Sequence, residues 1–413
     1  MNLFLYTFFL RLYTFVIHIV ALWNHKAKQW TEGRKNIFNR IEEKIRGNTA
    51  PLVWFHSASL GEFEQARPVI EQFRIHYPSY KIFLTFFSPS GYEIRKNYAQ
   101  ADYVFYLPMD SKSNARKFIR LVKPNLVLFA KYEFWHYYIT ELAKNEIPTL
   151  SFSAIFRPDQ IYFKPYARFY KKILKELTHI FVQNQESFEL LQQAGITQVS
   201  VAGDTRFDRV QTVAAQKKSI PLAEAFKHGQ KLLVIGSSWP QDMERIIPFL
   251  NAFTQPLKVI IAPHELHESE IEQLTGALTK KTVRFSQAQI ETVAQFDVLL
   301  IDNIGMLSSL YQYGEFAYIG GAFGKGLHNI LEAATFGMPI FFGPNHRKFQ
   351  EALDLIALQG AFPIATTAEL STAFTPLYQH ENQRMEAAQV TRRYVEQNTG
   401  ATEQIIKYCK KWM

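Results

Sequence analysis

The chain has 413 residues, 47% of them hydrophobic, which is more than one core usually organises and excludes a disordered chain. Its formal net charge of +9 suits phosphorylated substrates, anionic lipid or nucleic acid, but no nucleic-acid-binding motif accompanies it, so nucleic acid is not an expected partner. Cys409 is the single cysteine, which excludes intramolecular disulfides and multi-cysteine metal sites and fits a reduced, cytosolic setting.

In chain order, Leu3–Trp23 comes first: 21 mostly apolar residues that include Arg11 and His18. At about 1.5 Å per residue it is long enough for one bilayer crossing of roughly 30 Å. Arg11 near its middle would cost about 2.5–3.5 kcal/mol at the bilayer centre, so an interfacial helix competes with a spanning one. A buried helix of a soluble protein is the third reading. No basic n-region or small-x-small cleavage site marks a cleaved signal peptide. The basic flank Lys26, Lys28, Arg34, Lys35, Arg40, Lys44 and Arg46 keeps the following body on the cytoplasmic side by the positive-inside rule. Residues 1–24 therefore form the expected membrane anchor.

Short apolar runs then alternate with helical patterns. Pro51–Phe55, Lys81–Phe87, Tyr103–Tyr106, Asn125–Phe129, Pro148–Phe152, His179–Val182 and Val199–Val201 read as buried strands, with helices such as Glu64–Tyr77, Ser113–Val122 and Glu186–Gln193 between them. The polar stretch 211–230 reads as a linker. A second series follows in Leu232–Ile235, Leu257–Ile261, Val283–Phe285, Val298–Ile301, Phe316–Ile319 and Pro339–Phe342, with helices at Gln241–Phe253, Glu268–Thr279, His328–Phe336 and Lys348–Gln359. This alternation implies an α/β fold of two Rossmann-like domains, 25–210 and 231–385, followed by a helical tail over 386–413. Ligands are expected at strand C-terminal ends, facing a cleft between the domains.

The candidate chemistry sits at those ends. His56-Ser57-Ala58-Ser59-Leu60-Gly61-Glu62 turns from strand to helix; Glu62 suits a general base for a hydroxyl, while Ser59 and Glu62 also have the spacing of a capping box. Ala130-Lys131-Tyr132-Glu133-Phe134-Trp135 supplies a second carboxylate, which either serves the site or pairs with Lys131 at the surface. Arg206, in Gly203-Asp204-Thr205-Arg206, suits a phosphate or a salt bridge to Asp204 or Asp208. Gly236-Ser237-Ser238 reads as an anion loop before a helix, or an ordinary turn.

Ile319-Gly320-Gly321-Ala322-Phe323-Gly324-Lys325-Gly326-Leu327-His328-Asn329-Ile330-Leu331-Glu332 is the most distinctive segment. Its glycines, Lys325 and a helix opening at His328-Asn329 suit a phosphate, and Glu332 suits ribose hydroxyls. No D-x-D or H-E-x-x-H spacing appears, so no metal is expected. Ile161–Leu177 mixes Tyr162, Phe163, Tyr166, Phe169 and Tyr170 with Lys and Arg; this suits an anionic lipid surface or an ordinary amphipathic helix.

Together these motifs resemble the bacterial 3-deoxy-D-manno-octulosonic acid (Kdo) transferases. Ser57–Phe63 is similar to their Ala-Ser-Val-Gly-Glu, Tyr132–Trp135 to Thr-Glu-Leu-Trp, Gly236–Ser238 to Gly-Ser-Thr, and Gly320-Gly321…His328-Asn329-Ile330-Leu331-Glu332 to Gly-Gly…His-Asn-x-Leu-Glu. Gly343-Pro344 with Phe349 follows in place. Two departures stand out: Asn303-Ile304-Gly305-Met306-Leu307 replaces Met-Gly-Glu-Leu, and Pro263-His264-Glu265 replaces Pro-Arg-His.

The resemblance implies a GT-B fold and an inverting transfer of Kdo from CMP-Kdo to a lipid A precursor at the cytoplasmic face of the inner membrane, with no cofactor and no obligate protein partner. It makes Glu62 the base and Glu133 a second essential acid. Arg206, Ser237, Ser238, His264, Gly305, Gly320, Gly321, Lys325, His328, Asn329 and Glu332 fall on the donor side, and Ser59, Gly61 and Lys131 on the acceptor side. The rival expectations are a UDP-sugar glycolipid transferase, a sugar-nucleotide epimerase, or a lipid- or glycan-binding protein with a degenerate donor site.

Overall fold

A computed structural model describes residues 3–164, 167–216, 218–324 and 326–413; Tyr166, Lys217 and Lys325 lie outside the described residues. The chain divides into two units, residues 1–209 with 399–413, and residues 210–398.

The first unit opens with α1 (Leu3–Val20), α2 (His25–Glu32) and α3 (Ile37–Ile45), then alternates: β1 (Leu52–Ser57), α4 (Leu60–His76), β2 (Lys81–Phe86), α5 (Pro89–Arg95), β3 (Tyr103–Tyr106), α6 (Lys112–Val122), β4 (Leu126–Ala130), α7 (His136–Lys144), β5 (Thr149–Ala154), α8 (Arg168–Lys175), β6 (His179–Val182), α9 (Gln185–Gln193) and β7 (Val199–Val201). The strands are continuous apolar runs because the parallel sheet is covered on both faces. One face packs Trp54, Phe118 and Phe129; the other packs Phe55, Phe63 and Phe73. The order is β3-β2-β1-β4-β5-β6-β7, so the chain moves outward from β1 and then crosses to β4 on the opposite side. The topological switch point lies between β1 and β4.

α10 (Thr205–Ala215) carries the chain from the first unit into the second, which continues α11 (Pro221–Lys227), β8 (Leu232–Ser238), α12 (Pro240–Ala252), β9 (Lys258–Pro263), α13 (Glu268–Ala277), β10 (Thr282–Arg284), β11 (Val298–Leu300), α14 (Leu307–Leu310), β12 (Phe316–Ile319), α15 (Leu331–Ala334), β13 (Ile340–Phe342), α16 (Gln350–Ala357), β14 (Ala361–Pro363), α17 (Thr367–Gln379) and α18 (Glu381–Gln397). The order β10-β11-β9-β8-β12-β13-β14 puts this unit's switch point between β8 and β12. β14 was not anticipated from sequence; its three residues are too short to show a pattern.

Three boundaries differ from the sequence expectations. The stretch 211–230 is no open linker: α11 buries Ala223 and Phe226. The tail is not one helix. Gly400, at φ +105, breaks it, and α19 (Ala401–Cys409) returns to the first unit. There it buries Ile405, Ile406 and Cys409, while Asp208 accepts the amides of Gly400 and Thr402 at 2.6 and 2.7 Å. The third difference is the helix expected over His328–Phe336, which shrinks to Leu331–Ala334.

The apolar N-terminal segment is a helix none of whose residues is buried, which removes the reading of a buried core helix. It is not detached either. Tyr6 donates to Asp110 at 2.6 Å, the Thr7 and Tyr137 hydroxyls meet at 2.7 Å, and Tyr13 packs on Trp30 and Phe87. One face of α1 lies along the first unit, and Phe4, Phe8, Phe9, Leu12, Phe15 and Val16 face outward.

Candidate functional site

In the first unit the expected residues converge on the β1/β4 switch point, the position where open α/β sheets bind ligands. Glu62 lies in the first turn of α4, directly after β1, with a half-buried side chain. Its partner is the Ser59 hydroxyl, which donates to the carboxylate. The Ser59 side chain therefore accepts no amide from the helix, and the capping-box reading does not hold. Gly61, beside it, is exposed.

Glu133 follows β4, the neighbouring strand. Its Oε2 lies 3.1 Å from His56 Nε2 and accepts the Trp135 indole N–H at 2.8 Å. No ion pair with Lys131 forms among the described residues; Lys131 instead takes a left-handed φ of +56 and bonds through its backbone to β5. The Glu133 side chain is 14% exposed and that of His56 is fully buried. On the far side of the imidazole, Nδ1 lies 2.8 Å from Thr85 Oγ1, which itself accepts the Trp54 indole N–H at 2.7 Å. With the Thr85 hydroxyl donating to Nδ1, the neutral imidazole carries its proton on Nε2 and donates it to Glu133. His56 fixes that carboxylate, a role the sequence left unassigned although the residue stands at the head of the Glu62 motif.

Arg206 joins the same neighbourhood through buried polar residues. Gln65, one turn beyond Glu62, donates to Asp204 at 3.0 Å, and Asp204 accepts Arg206 Nε at 2.8 Å. Burial pushes the Asp204 carboxyl up, but the Arg206 charge and three hydrogen bonds outweigh it and hold the group below its ordinary value. The salt bridge and a ligand role are compatible, since the guanidinium has five N–H donors.

In the second unit the expected residues flank the β8/β12 switch point, built chiefly by backbone. Gly236-Ser237-Ser238 belongs to β8 itself. The register with β9 slips there, and Ser237 takes a φ of +52. Ser238 is buried with its hydroxyl unbonded among the described residues, as is Ser57 at the end of β1. The loop after β12 then folds against this bulge. A Cβ on Gly320 would stand 2.3 Å from the Ser237 carbonyl, and one on Gly321, at φ +93, would meet Gly326 O at 2.5 Å.

The loop's amides do not form the open phosphate cradle that its composition suggests. Gly320 N–H goes to Gly236, Gly321 N–H to Asp242, Gly324 and Gly326 N–H to Gly321, and His328 N–H to Gly320. This last bond keeps His328–Ile330 out of the helix, so a four-residue α15 supplies no helix terminus at His328-Asn329. Asp242 is the hub: fully buried, it also accepts Trp239 N–H and the Tyr318 hydroxyl, each at 2.9 Å.

His264 sits exposed at the end of β9, stacked between Trp239 at 4.5 Å and His328 at 4.4 Å. The Trp239 indole donates to His328 Nε2 at 3.0 Å, which places the His328 proton on Nδ1. Burial, with His264 alongside, pushes the His328 pKa down to about 4. Asn329 donates to Glu332 at 3.2 Å, and Ser308 donates to the other oxygen at 2.5 Å. Gly305, at φ +96, turns the exposed loop that leads to Ser308. Trp239, Asp242 and Ser308 were not anticipated; the departure at Met306 gave the one sequence signal near them.

A family model described as 3-deoxy-D-manno-octulosonic-acid transferase (kdotransferase) matches residues 32–209, the body of the first unit. A relative from Aquifex aeolicus named 3-deoxy-D-manno-octulosonic acid transferase is 28% identical over 338 residues, 80% of this chain and 87% of its own. One of the same name from Chlamydophila psittaci is 25% identical over 346 residues, 81% of this chain and 79% of its own. Among solved structures, UDP-GlcNAc 2-epimerase from Neisseria meningitidis is similar in fold, with a TM-score of 0.62 at 16% identity over 87% of this chain and 100% of that one.

Proposed function

Since this chain belongs to the Kdo transferase family of glycosyltransferases, we propose that it moves Kdo from CMP-Kdo onto a lipid A precursor, inverting the anomeric centre and using no metal. The observation that carries this reading is the pair of carboxylates, Glu62 and Glu133, at neighbouring strand ends of the β1/β4 switch point within the family-matched residues.

Glu62 takes the proton of an acceptor hydroxyl as its oxygen attacks the anomeric carbon of Kdo, and the bond to the CMP phosphate oxygen breaks. Ser59 orients Glu62 through its hydrogen bond. Glu133, steadied by His56 and Trp135 through one oxygen, keeps the other for the acceptor or the sugar. CMP departs as a phosphate monoester, so charge neutralisation matters more than protonation of the leaving group. Arg206 supplies that charge, with Lys325. On the donor side, the Gly320–Gly321 loop lets the nucleotide approach the β8 bulge closely. Neutral His328 offers its Nδ1–H as a hydrogen-bond donor.

α1 serves the lipid acceptor by lying in the membrane surface rather than crossing it. A crossing helix would carry its protein partners Asp110, Tyr137 and Trp30 into hydrocarbon. The basic flank keeps the body cytoplasmic.

The test is a mass-spectrometric assay with detergent-solubilised protein, CMP-Kdo, lipid A precursor and EDTA throughout. A product heavier by Kdo, absent with a folded Glu62→Ala variant, is the expected result. Consumption of a UDP-sugar with CMP-Kdo ignored would overturn the donor, and loss of turnover in EDTA the metal independence.

A further inference from the structure

Arg11, the charge that sits oddly in an apolar helix, has a place in the fold. Thr7, Arg11, Thr14 and His18 recur at helical spacing along α1 and form a polar stripe, which makes one wall of a pocket of about 740 Å³. The opposite wall is the start of α6, with Ser111, Lys112, Ser113 and Arg116. Three cations thus converge from two elements.

The carboxylates at hand do not neutralise them. Asp110 lines the pocket, but its oxygens accept the Tyr6 hydroxyl and the amides of Tyr137 and Tyr138, at 2.6, 3.1 and 3.1 Å. Arg116 has Glu141 at 3.6 Å; Arg11 and Lys112 have no ion-pair partner among the described residues. Converging like charges destabilise a fold unless an anion joins them. Beyond Met109 and Thr14 a second pocket of about 500 Å³ continues the basic lining with Lys35 and Lys117.

We propose that this pocket binds the phosphate headgroup of an anionic membrane phospholipid, whose acyl chains run along the outward apolar face of α1. The hydroxyls and cations match a phosphate's acceptor oxygens and charge. The apolar face that exposes Phe4 at 74%, Phe15 at 64% and Val16 at 47% matches the chains, and Phe15 borders both. A free phosphate would use the pocket and leave that face in water. The site deepens the membrane reading proposed above for α1 and rests on it: it makes membrane docking selective for anionic lipid and fixes the first unit's orientation on the surface.

Co-flotation of the full chain with vesicles of phosphatidylcholine, alone or mixed with phosphatidylglycerol, tests this. Wild type should bind the neutral vesicles and bind the mixed ones more tightly, by on the order of fivefold for each basic residue at the surface. Arg11→Gln/Lys112→Gln/Arg116→Gln should keep the neutral binding and lose most of the gain. A charge-matched control, Lys26→Gln/Lys28→Gln/Lys44→Gln, should keep most of it. Equal losses in both variants mean diffuse attraction and overturn the site, as does a retained gain in the pocket variant. Loss of the wild-type gain on adding inorganic phosphate at matched ionic strength would make it a free-anion site. If the pocket variant fails to turn over detergent-dispersed acceptor, the pocket belongs to the acceptor. No wild-type binding to either vesicle would sink the membrane reading, and this proposal with it.

Discussion

The two units share a plan and execute it with different chemistry. Each is a seven-stranded parallel sheet, and each gathers its candidate residues at the switch point beside its first strand. In the first unit the working groups are charged side chains, Glu62, Glu133 and Arg206, each anchored by a polar neighbour. In the second they are glycines, a strained serine and a neutral histidine, and the loop amides are consumed inside the protein. The difference teaches that proton transfer needs a carboxylate in the right place, whereas holding a nucleotide needs space and shape.

The largest test of that contrast is Glu62→Gln. It should lower kcat by about 10²–10⁴-fold, the range for a lost general base, and leave KM for the donor nearly unchanged. Gly320→Ala should do the reverse. Its Cβ meets the Ser237 carbonyl, so the loop must shift, donor KM should rise, and the second unit should lose roughly 1–3 kcal/mol of stability in urea unfolding. Equal effects of both substitutions on kcat would erase the division of labour.

His56→Ala should lower kcat by about 10-fold or more through Glu133, without touching donor affinity. His56→Gln, which can still donate to the carboxylate, should restore part of the loss, and the pH–rate profile should shift. A merely structural role would show as lost thermal stability with an unchanged profile.

The smallest effect is in pH dependence, where the units should move in opposite directions. His328 has a folded pKa of about 4, below its ordinary 6.5, so its contribution is present above pH 6.5 and lost as pH falls towards 4. Asp110 is the opposite case: burial lifts it to about 6, so its contribution is present below the ordinary carboxylate range and lost as pH rises through 6. Each is worth about 1–2 kcal/mol after discounting for solvent and for the donors around Asp110. Hydrogen exchange at pH 5 against pH 7 should show the His328 loop looser and the α1–α7 contact tighter. Parallel changes in both places would show that neither group controls its region.

Much of this was legible in the chain. Continuous apolar runs located thirteen of the fourteen strands within a few residues, because a parallel sheet covered on both faces demands apolar residues at every position. The strand ends followed, and with them Glu62, Glu133 and Arg206, since a carboxylate or guanidinium keeps its chemistry wherever the backbone presents it. The apolar length of α1 was equally plain.

Tertiary structure alone decided partnership. Glu133 turns from Lys131 to His56, which is 77 residues away in sequence and arrives only through the pairing of β1 with β4. Arg11 reads as a cost within α1 and becomes a pocket wall only once α6 stands opposite. The glycine loop reads as a phosphate cradle because its composition says that amides are available. Which acceptor each amide finds depends on Asp242 and the β8 bulge, and no local pattern encodes that. Side-chain chemistry and hydrophobic period are properties of the chain itself; a hydrogen bond or a converging charge is a property of two segments, and the fold brings those together.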